Sequence, residues 1–226
     1  YSTQEGILVG NKLERIASRL NVDHKATDKL TLGINIGLSR TRNDRLPNDN
    51  AFSTPLQAVA LAPITPVIDP RTGLTSGALD PNTGNPNNNF PFYYNPLLGV
   101  QNKAATYATF VYRTLGNVFA QYEIIPGLSF RSELGLDILN QDEDQYLARV
   151  TSRNSGPTNG FAFSAHTTSG RYITNNFFSY RKVLAELHSV EATLGTSYEE
   201  RKQNYTSVEG SQFASDAYRK LGSAAV

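Results

Sequence analysis

The sequence predicts an all-β chain whose antiparallel strands form part of a large transmembrane β-barrel, with long extracellular loops that carry short helices. Three observations support this prediction. Side chains alternate between apolar and polar, short turns alternate with long loops, and no apolar run approaches the ~18 residues that a helical span requires. A barrel strand needs only ~9–11 residues, half of them polar, so a mean hydropathy of -0.38 is compatible with it.

The clearest alternation runs from Leu13 to Leu38, interrupted by a polar break from His24 to Lys29. One parity is apolar: Ile16, Leu20, Val22, Leu30, Leu32, Ile34, Ile36 and Leu38. The other parity carries charged, amide and glycine residues, among them Arg15, Arg19, Asp23 and Asn35. A period of two over this length predicts a β-hairpin with one apolar face. Because the polar face lacks core-filling side chains, we expect lipid on the apolar side and water in a lumen on the other.

Two further hairpins are predicted. Residues 117–124 and 128–138 flank a turn at Ile125-Pro126-Gly127, where Pro fixes φ and Gly accepts a positive φ. The third pair runs from about residue 172 to 184 and from about 189 to 208, with a reversal near residues 185–188. In the second hairpin, the polar parity carries three charged residues that we also expect to face the lumen: Arg131, Glu133 and Asp137.

The connections between hairpins are long. They are predicted over residues 42–102, over residues 142–170, and from Gly210 onward. Short turns at one end and long loops at the other are typical of outer-membrane barrels. The charged runs 140–144 and 199–203 continue from apolar segments, so we expect strands that extend beyond the bilayer.

The first long loop has its own predicted structure. Pro55 to Leu61 is expected to form a short helix, and two Asp-Pro turns closed by Gly follow at residues 69–73 and 80–84. Four clustered aromatics are the candidate contact surface, since sugars and peptides stack on such rings: Phe90, Phe92, Tyr93 and Tyr94. The alternative is that these rings pack the loop against its own base or against neighbouring loops.

Composition argues against several functions. The net charge is +1 and the basic residues are scattered, so we expect no nucleic-acid partner. The chain has no Cys, and its three His residues match no metal motif, so we expect no metal, cofactor or catalytic site. Glu133 and Asp137 could suggest acid–base chemistry, but Arg131 beside them favours charge balance on a wet wall. Arg15, Arg19 and Asp23 form a similar row on the lumen face; they bind another part of the protein electrostatically or, as the default, are solvated, because exposed ion pairs contribute only ~0–1 kcal/mol.

Several segments together resemble the SusC/RagA branch of TonB-dependent outer-membrane transporters, the nutrient importers of Bacteroidota. The segments that carry the resemblance are residues 15–23, 32–39, 94–97, 115–117 and 126–132. Their order, with the long loop between them, covers nearly the whole chain.

The resemblance implies a barrel of ~22 strands closed by an N-terminal plug, of which residues 1–226 supply about six strands. The chain lacks Met and begins at Tyr1, so we expect a piece of a longer polypeptide, with the plug domain and the TonB-contacting segment outside it. The implied activity is uptake of glycans or peptides, that is, an oligosaccharide or peptide substrate. The implied setting is the cell outer membrane and its lipid, and the implied partners are TonB and a SusD-like lid lipoprotein. Phe90, Phe92, Tyr93 and Tyr94 are then candidate contacts to the substrate or to that lid. The alternative is a soluble all-β module that binds carbohydrate or protein.

Overall fold

A computed structural model describes residues 1–46, 54–87, 95–100, 103–149, 159–184 and 187–226. They form one antiparallel sheet in which each strand pairs with the next along the chain. This confirms the predicted all-β class. The strands are β1 (Ser2–Glu5), β2 (Lys12–Lys25), β3 (Leu30–Asp44), β4 (Ala105–Ile125), β5 (Leu128–Leu147), β6 (Phe161–Leu184) and β7 (His188–Ser211).

The predicted turns lie where the sequence placed them. Between β2 and β3, the hydroxyl of Thr27 accepts a hydrogen bond from the backbone N–H of Leu30 at 3.0 Å. Between β4 and β5, Gly127 has a φ of +86°, the conformation that a side chain disfavours. A Cβ at Gly127 would also collide with the backbone carbonyl of Arg181 on β6. This turn therefore requires glycine for two independent reasons.

The strands are longer than predicted, and there is one more of them. The short strand β1 was not predicted, β4 begins at Ala105 rather than near residue 117, and residues 142–147 and 161–170 belong to β5 and β6 rather than to a loop. These added segments carry polar and apolar residues on both faces, so they lack the alternation that marks a strand with one apolar face. The charged runs 140–144 and 199–203 lie within β5 and β7, as expected.

The described residues between β3 and β4 include two short helices, α1 (Thr54–Ala60) and α2 (Leu97–Val100). Helix α1 lies within one residue of the predicted one. Both Asp-Pro turns are confirmed. The Gly73 N–H donates to the Asp69 carbonyl at 2.7 Å, and the Gly84 N–H donates to the Asp80 carbonyl at 2.8 Å. Of the residues that the structure describes, no helix is long and apolar enough to cross a membrane.

The buried core is small and lies at the loop end of the sheet. Phe213 is 2% exposed and packs edge-on against Tyr146 of β5, with ring centroids 5.4 Å apart. Ala104, Ala148 and Ala162 complete this cluster. Residues 212–226 thus fold back onto the ends of β4, β5 and β6, and a 3₁₀ turn at Leu221–Ser223 belongs to this segment.

Candidate functional site: the two faces of the sheet

The register of the strands fixes which side chains share a face. Directly paired residues lie on the same side of a sheet, and the pairs from β2 to β7 join even numbers to even and odd to odd. The register shifts only at the β4–β5 turn. We therefore call the two surfaces of β2–β7 the even face and the odd face.

The even face carries a continuous apolar band. All the apolar-parity residues of the first predicted hairpin lie in it, and it continues across the sheet to Leu194 and Tyr198 on β7. Its large side chains are open to the surroundings, for example Leu20 at 56% and Leu194 at 77% exposure. In the part of the chain that the structure describes, no second layer packs on this band. An apolar surface of this extent requires an apolar environment or a partner.

The band runs obliquely across the strands. Its loop-side limit, the last apolar residue before a charged one, is Ile16 on β2 and Tyr198 on β7. The register row through Tyr198 reaches β2 at Val22, six residues (22 minus 16) from Ile16. The edge of the band moves by six residues of ~3.4 Å along the strands while it crosses five strand spacings of ~4.8 Å. It therefore slopes by roughly 40° from the direction perpendicular to the strands. The edge of the band therefore lies in a single plane only if the strands are tilted by about that angle from the normal to that plane.

Beyond the band, the even face becomes polar toward the loop end. On β6, Nδ1 of His166 lies 2.6 Å from a carboxylate oxygen of Asp142 and Nε2 lies 3.0 Å from the Thr168 hydroxyl, both within hydrogen-bonding distance. His166 was expected in a loop, and its place in a paired strand corrects that expectation. Among the described residues, no three His, Cys, Asp or Glu side chains are grouped to hold a metal.

All seven residues that the sequence proposed as lumen-facing occur together on the odd face. They are Arg15, Arg19, Asp23, Asn35, Arg131, Glu133 and Asp137. Asn35 has amide neighbours in its own register row, Asn21 on β2 and Asn117 on β4. The odd face of the band region is therefore a hydrogen-bonding surface directly behind an apolar one.

Arg131 is the centre of one cluster on the odd face. Its Nε donates to Glu133 at 2.6 Å and its Nη1 donates to Gln121 at 3.2 Å. Its guanidinium also lies 3.7 Å from the centroid of the Phe119 ring. That ring covers Gly33 so closely that a Cβ there would collide with it. Arg131 thus balances the charge of Glu133, which supports the charge-balance interpretation over acid–base chemistry.

The partner of Asp137 was missed from the sequence. Arg113 on β4 holds both carboxylate oxygens, at 2.9 Å through Nε and 2.7 Å through Nη2. Arg113 fell in the predicted loop, although the Thr, Tyr, Phe and Val content of residues 106–114 was a signal of strand. A second bidentate pair, Arg171 with Glu199 at 2.7 Å for both contacts, lies on β6 and β7.

Other charges on the odd face remain unpaired. Within the described ranges, none of the ion pairs includes Arg15, Arg19 or Asp23, and all three residues are exposed to solvent or to a solute. The four aromatics proposed as substrate or lid contacts, Phe90 to Tyr94, lie outside the described residues. The described part of that loop is held by polar contacts around Asp69, whose side chain is fully buried.

At the loop end, the C-terminal segment is fastened to β5 by one carboxylate. Asp216 accepts hydrogen bonds from the Tyr146 hydroxyl at 2.9 Å and from the Arg149 backbone N–H at 2.7 Å. Burial of the phenol, with this acceptor as a second cause, raises the pKa of Tyr146 to about 12. Arg219 adds a hydrogen bond to the Lys103 carbonyl at 3.0 Å.

No family model and no curated protein matches this chain. Solved structures do. The structure of the RagAB peptide transporter matches with a TM-score of 0.72 at 19% identity, over 96% of this chain and 23% of that chain. The RagAB peptide importer matches over the same shares at 19% identity, with TM-scores of 0.72 in its closed-closed state and 0.73 in its open-open state. The chain therefore has the fold of a segment that makes up about a quarter of that transporter's chain.

Proposed function

We propose that this chain forms part of the wall of an outer-membrane transporter that imports peptides or oligosaccharides. In this proposal the even face contacts lipid, the odd face lines an aqueous lumen, and the long loops lie outside the cell. The slanted apolar band is the observation that carries the proposal. Its slope of roughly 40° equals the ~35–45° tilt of strands in membrane barrels, so tilting the strands makes the band level.

The charge distribution supports the same assignment. Lys182 on β6, paired with Val190, marks the turn-side edge of the band. Between that edge and the loop-side limit, the even face carries no Asp, Glu, Lys or Arg on β2–β7. Over the same stretch the odd face carries Arg19, Arg113, Asp137 and Arg171. A charge facing lipid at the bilayer midplane costs ~2–4 kcal/mol, whereas a charge facing water costs little. A soluble module would need a second layer over the even face instead.

The partners follow from the fold and the resemblance together. The chain spans 23% of the RagAB structure it matches, so the plug and the TonB-contacting segment belong to other parts of the polypeptide in this proposal. A SusD-like lid lipoprotein covers the lumen, and the aromatics between Phe90 and Tyr94 touch the substrate or the lid. Peptides are the first substrates to test, because the matched structures are those of a peptide importer.

Spin labels on adjacent residues test which face meets lipid. The chain has no Cys, so single cysteines at Ile34 and Asn35 add one label each to this segment of the full-length protein. The two residues lie at nearly the same depth on opposite faces. We expect the label at Ile34 to be relaxed by oxygen, which concentrates in lipid, and the label at Asn35 by a water-soluble nickel chelate. Equal nickel access at both sites would contradict the barrel assignment.

Uptake tests the transport itself. Cells that lack the full-length protein should lose import of labelled peptides or of oligosaccharides and regain it with the intact gene. Normal uptake of both substrate classes in the deletion strain would contradict the import assignment. If the spin label at Ile34 still reports lipid in that case, the barrel assignment itself remains valid.

A further inference from the structure

The even face contains a groove at the loop end of the apolar band. It is a shallow, open depression of about 290 Å³ between β2, β3 and β4. Six side chains of the even face surround it: Ile16, Ser18, Leu38, Arg40, Tyr112 and Thr114. The register explains its shape, because Ser18, Leu38 and Thr114 form one row. The two small side chains leave space on both sides of Leu38.

The groove ends at a cation. Arg40 is the first charged residue beyond the apolar run of β3, and its guanidinium carbon lies 5.8 Å from the centroid of the Tyr112 ring. An aromatic ring beside a cation at the edge of an apolar band is typical of the level where lipid headgroups lie.

Arg40 has no carboxylate of its own among the described residues. The two acidic groups on the even face of β2 and β3 are engaged by other cations, Glu14 by Lys12 at 2.7 Å and Asp44 by Arg42 at 3.0 Å. Asp142 and Asp144 of the same face lie two strands away from β3 on β5, where they are hydrogen-bonded to His166 and Ser164. The hydrogen bond from Lys12 holds the pKa of Glu14 below its usual value, so this carboxylate stays ionised. On the even face of β2 and β3, three basic groups at the loop end therefore accompany two acidic ones, and the basic group without its own carboxylate, Arg40, lies at the end of the groove.

We propose that this groove binds a phosphorylated, multiply acylated lipid of the lipid A class. One acyl chain lies along Leu38 between Ser18 and Thr114, and a phosphate oxygen accepts hydrogen bonds from Arg40. Arginine suits phosphate because its planar fork donates two parallel hydrogen bonds. The assignment rests on the proposed function, since it requires the even face in lipid and the loop end in the outer leaflet. Lipid A occupies that leaflet, whereas glycerophospholipids lie at the turn end.

The test counts lipid A on the full-length protein, purified in a mild detergent and measured by native mass spectrometry with added lipid A. Two variants probe the two halves of the site: R40Q removes the phosphate donor and S18F fills the groove without changing charge. R42Q is the matched control, because Arg42 lies two residues away on the same strand and face but is paired with Asp44. Heat-modifiable migration on gels verifies that each variant is folded.

We expect R40Q to weaken lipid A binding roughly tenfold, the factor for one lost hydrogen bond to a charged group. S18F should reduce occupancy similarly, and R42Q should bind as the wild type does. Lipid A without phosphates should bind R40Q and wild type equally. Unchanged lipid A binding in both R40Q and S18F would overturn the proposal, as would an equal loss in R42Q. If lipid A binding fails this test while the spin labels at Ile34 and Asn35 still report lipid and water respectively, only the lipid A site is excluded and the proposed function remains valid.

Discussion

Arg113 and Asp137 face each other diagonally across β4 and β5 and share two parallel hydrogen bonds of 2.9 and 2.7 Å. Such a fork is the strongest geometry for an ion pair, but both side chains remain partly exposed on the odd face. Solvent therefore limits its contribution to stability. The pair links β4 to β5, and the two charges neutralise each other instead of attracting ions or solutes.

A double-mutant cycle measures this pair. R113A, D137A and the double variant of the full-length protein should give a coupling of ~0.5–1 kcal/mol in the free energy of unfolding, decreasing with added salt. Urea unfolding in lipid vesicles provides the free energies. A coupling near zero at low salt would show that the observed geometry contributes nothing measurable.

Gly33→Ala should destabilise the sheet, because the added Cβ collides with the Phe119 ring. We expect a cost of ~1–3 kcal/mol in unfolding free energy, typical of an overpacked contact. Gly37→Ala is the matched control on the same strand and face, where a Cβ meets only Leu115 at 3.9 Å. Equal stability of the two variants would contradict the close packing of Phe119 on Gly33.

Tyr146 should make the C-terminal segment sensitive to high pH. Its pKa is about 12 in the folded protein against ~10 in an unfolded chain, so the folded state retains a proton that the unfolded state loses. The resulting stabilisation is complete below about pH 10 and is lost as the pH rises through about 12. The difference between the tyrosinate absorbance titrations of wild type and Y146F isolates this group. A midpoint near 10 would show that the phenol is neither buried nor held by Asp216 in the folded protein.

The aromatic loop cluster remains a prediction from sequence. Replacing Phe92, Tyr93 and Tyr94 with Ala in the full-length protein should weaken substrate uptake or lid association and leave barrel assembly intact, because loop tips contribute little to strand pairing. Uptake assays, lid co-purification and heat-modifiability measure the three properties separately. Normal uptake and lid binding at normal surface abundance would exclude this cluster from the function.

The sequence by itself determined the class of the fold and the two faces of the sheet. Period-two alternation assigns each residue of a strand to a face without reference to any other strand, so Ile34 and Asn35 were separated correctly. The turn at Pro126-Gly127 and the short helix were equally local, because φ preferences and capping act over a few residues. These features needed no knowledge of long-range contacts.

Only the tertiary structure decided the strand ends and the partners of the charges. Strand β4 begins twelve residues (117 minus 105) before the predicted start, because cross-strand pairing with β3 and β5 stabilises residues that carry no clear alternation. The pairing of Arg113 with Asp137 depends on register between strands, which the pattern of one strand cannot specify. The slope of the apolar band and the groove at Arg40 likewise emerge only when neighbouring strands are set in register, because both are properties of several strands side by side.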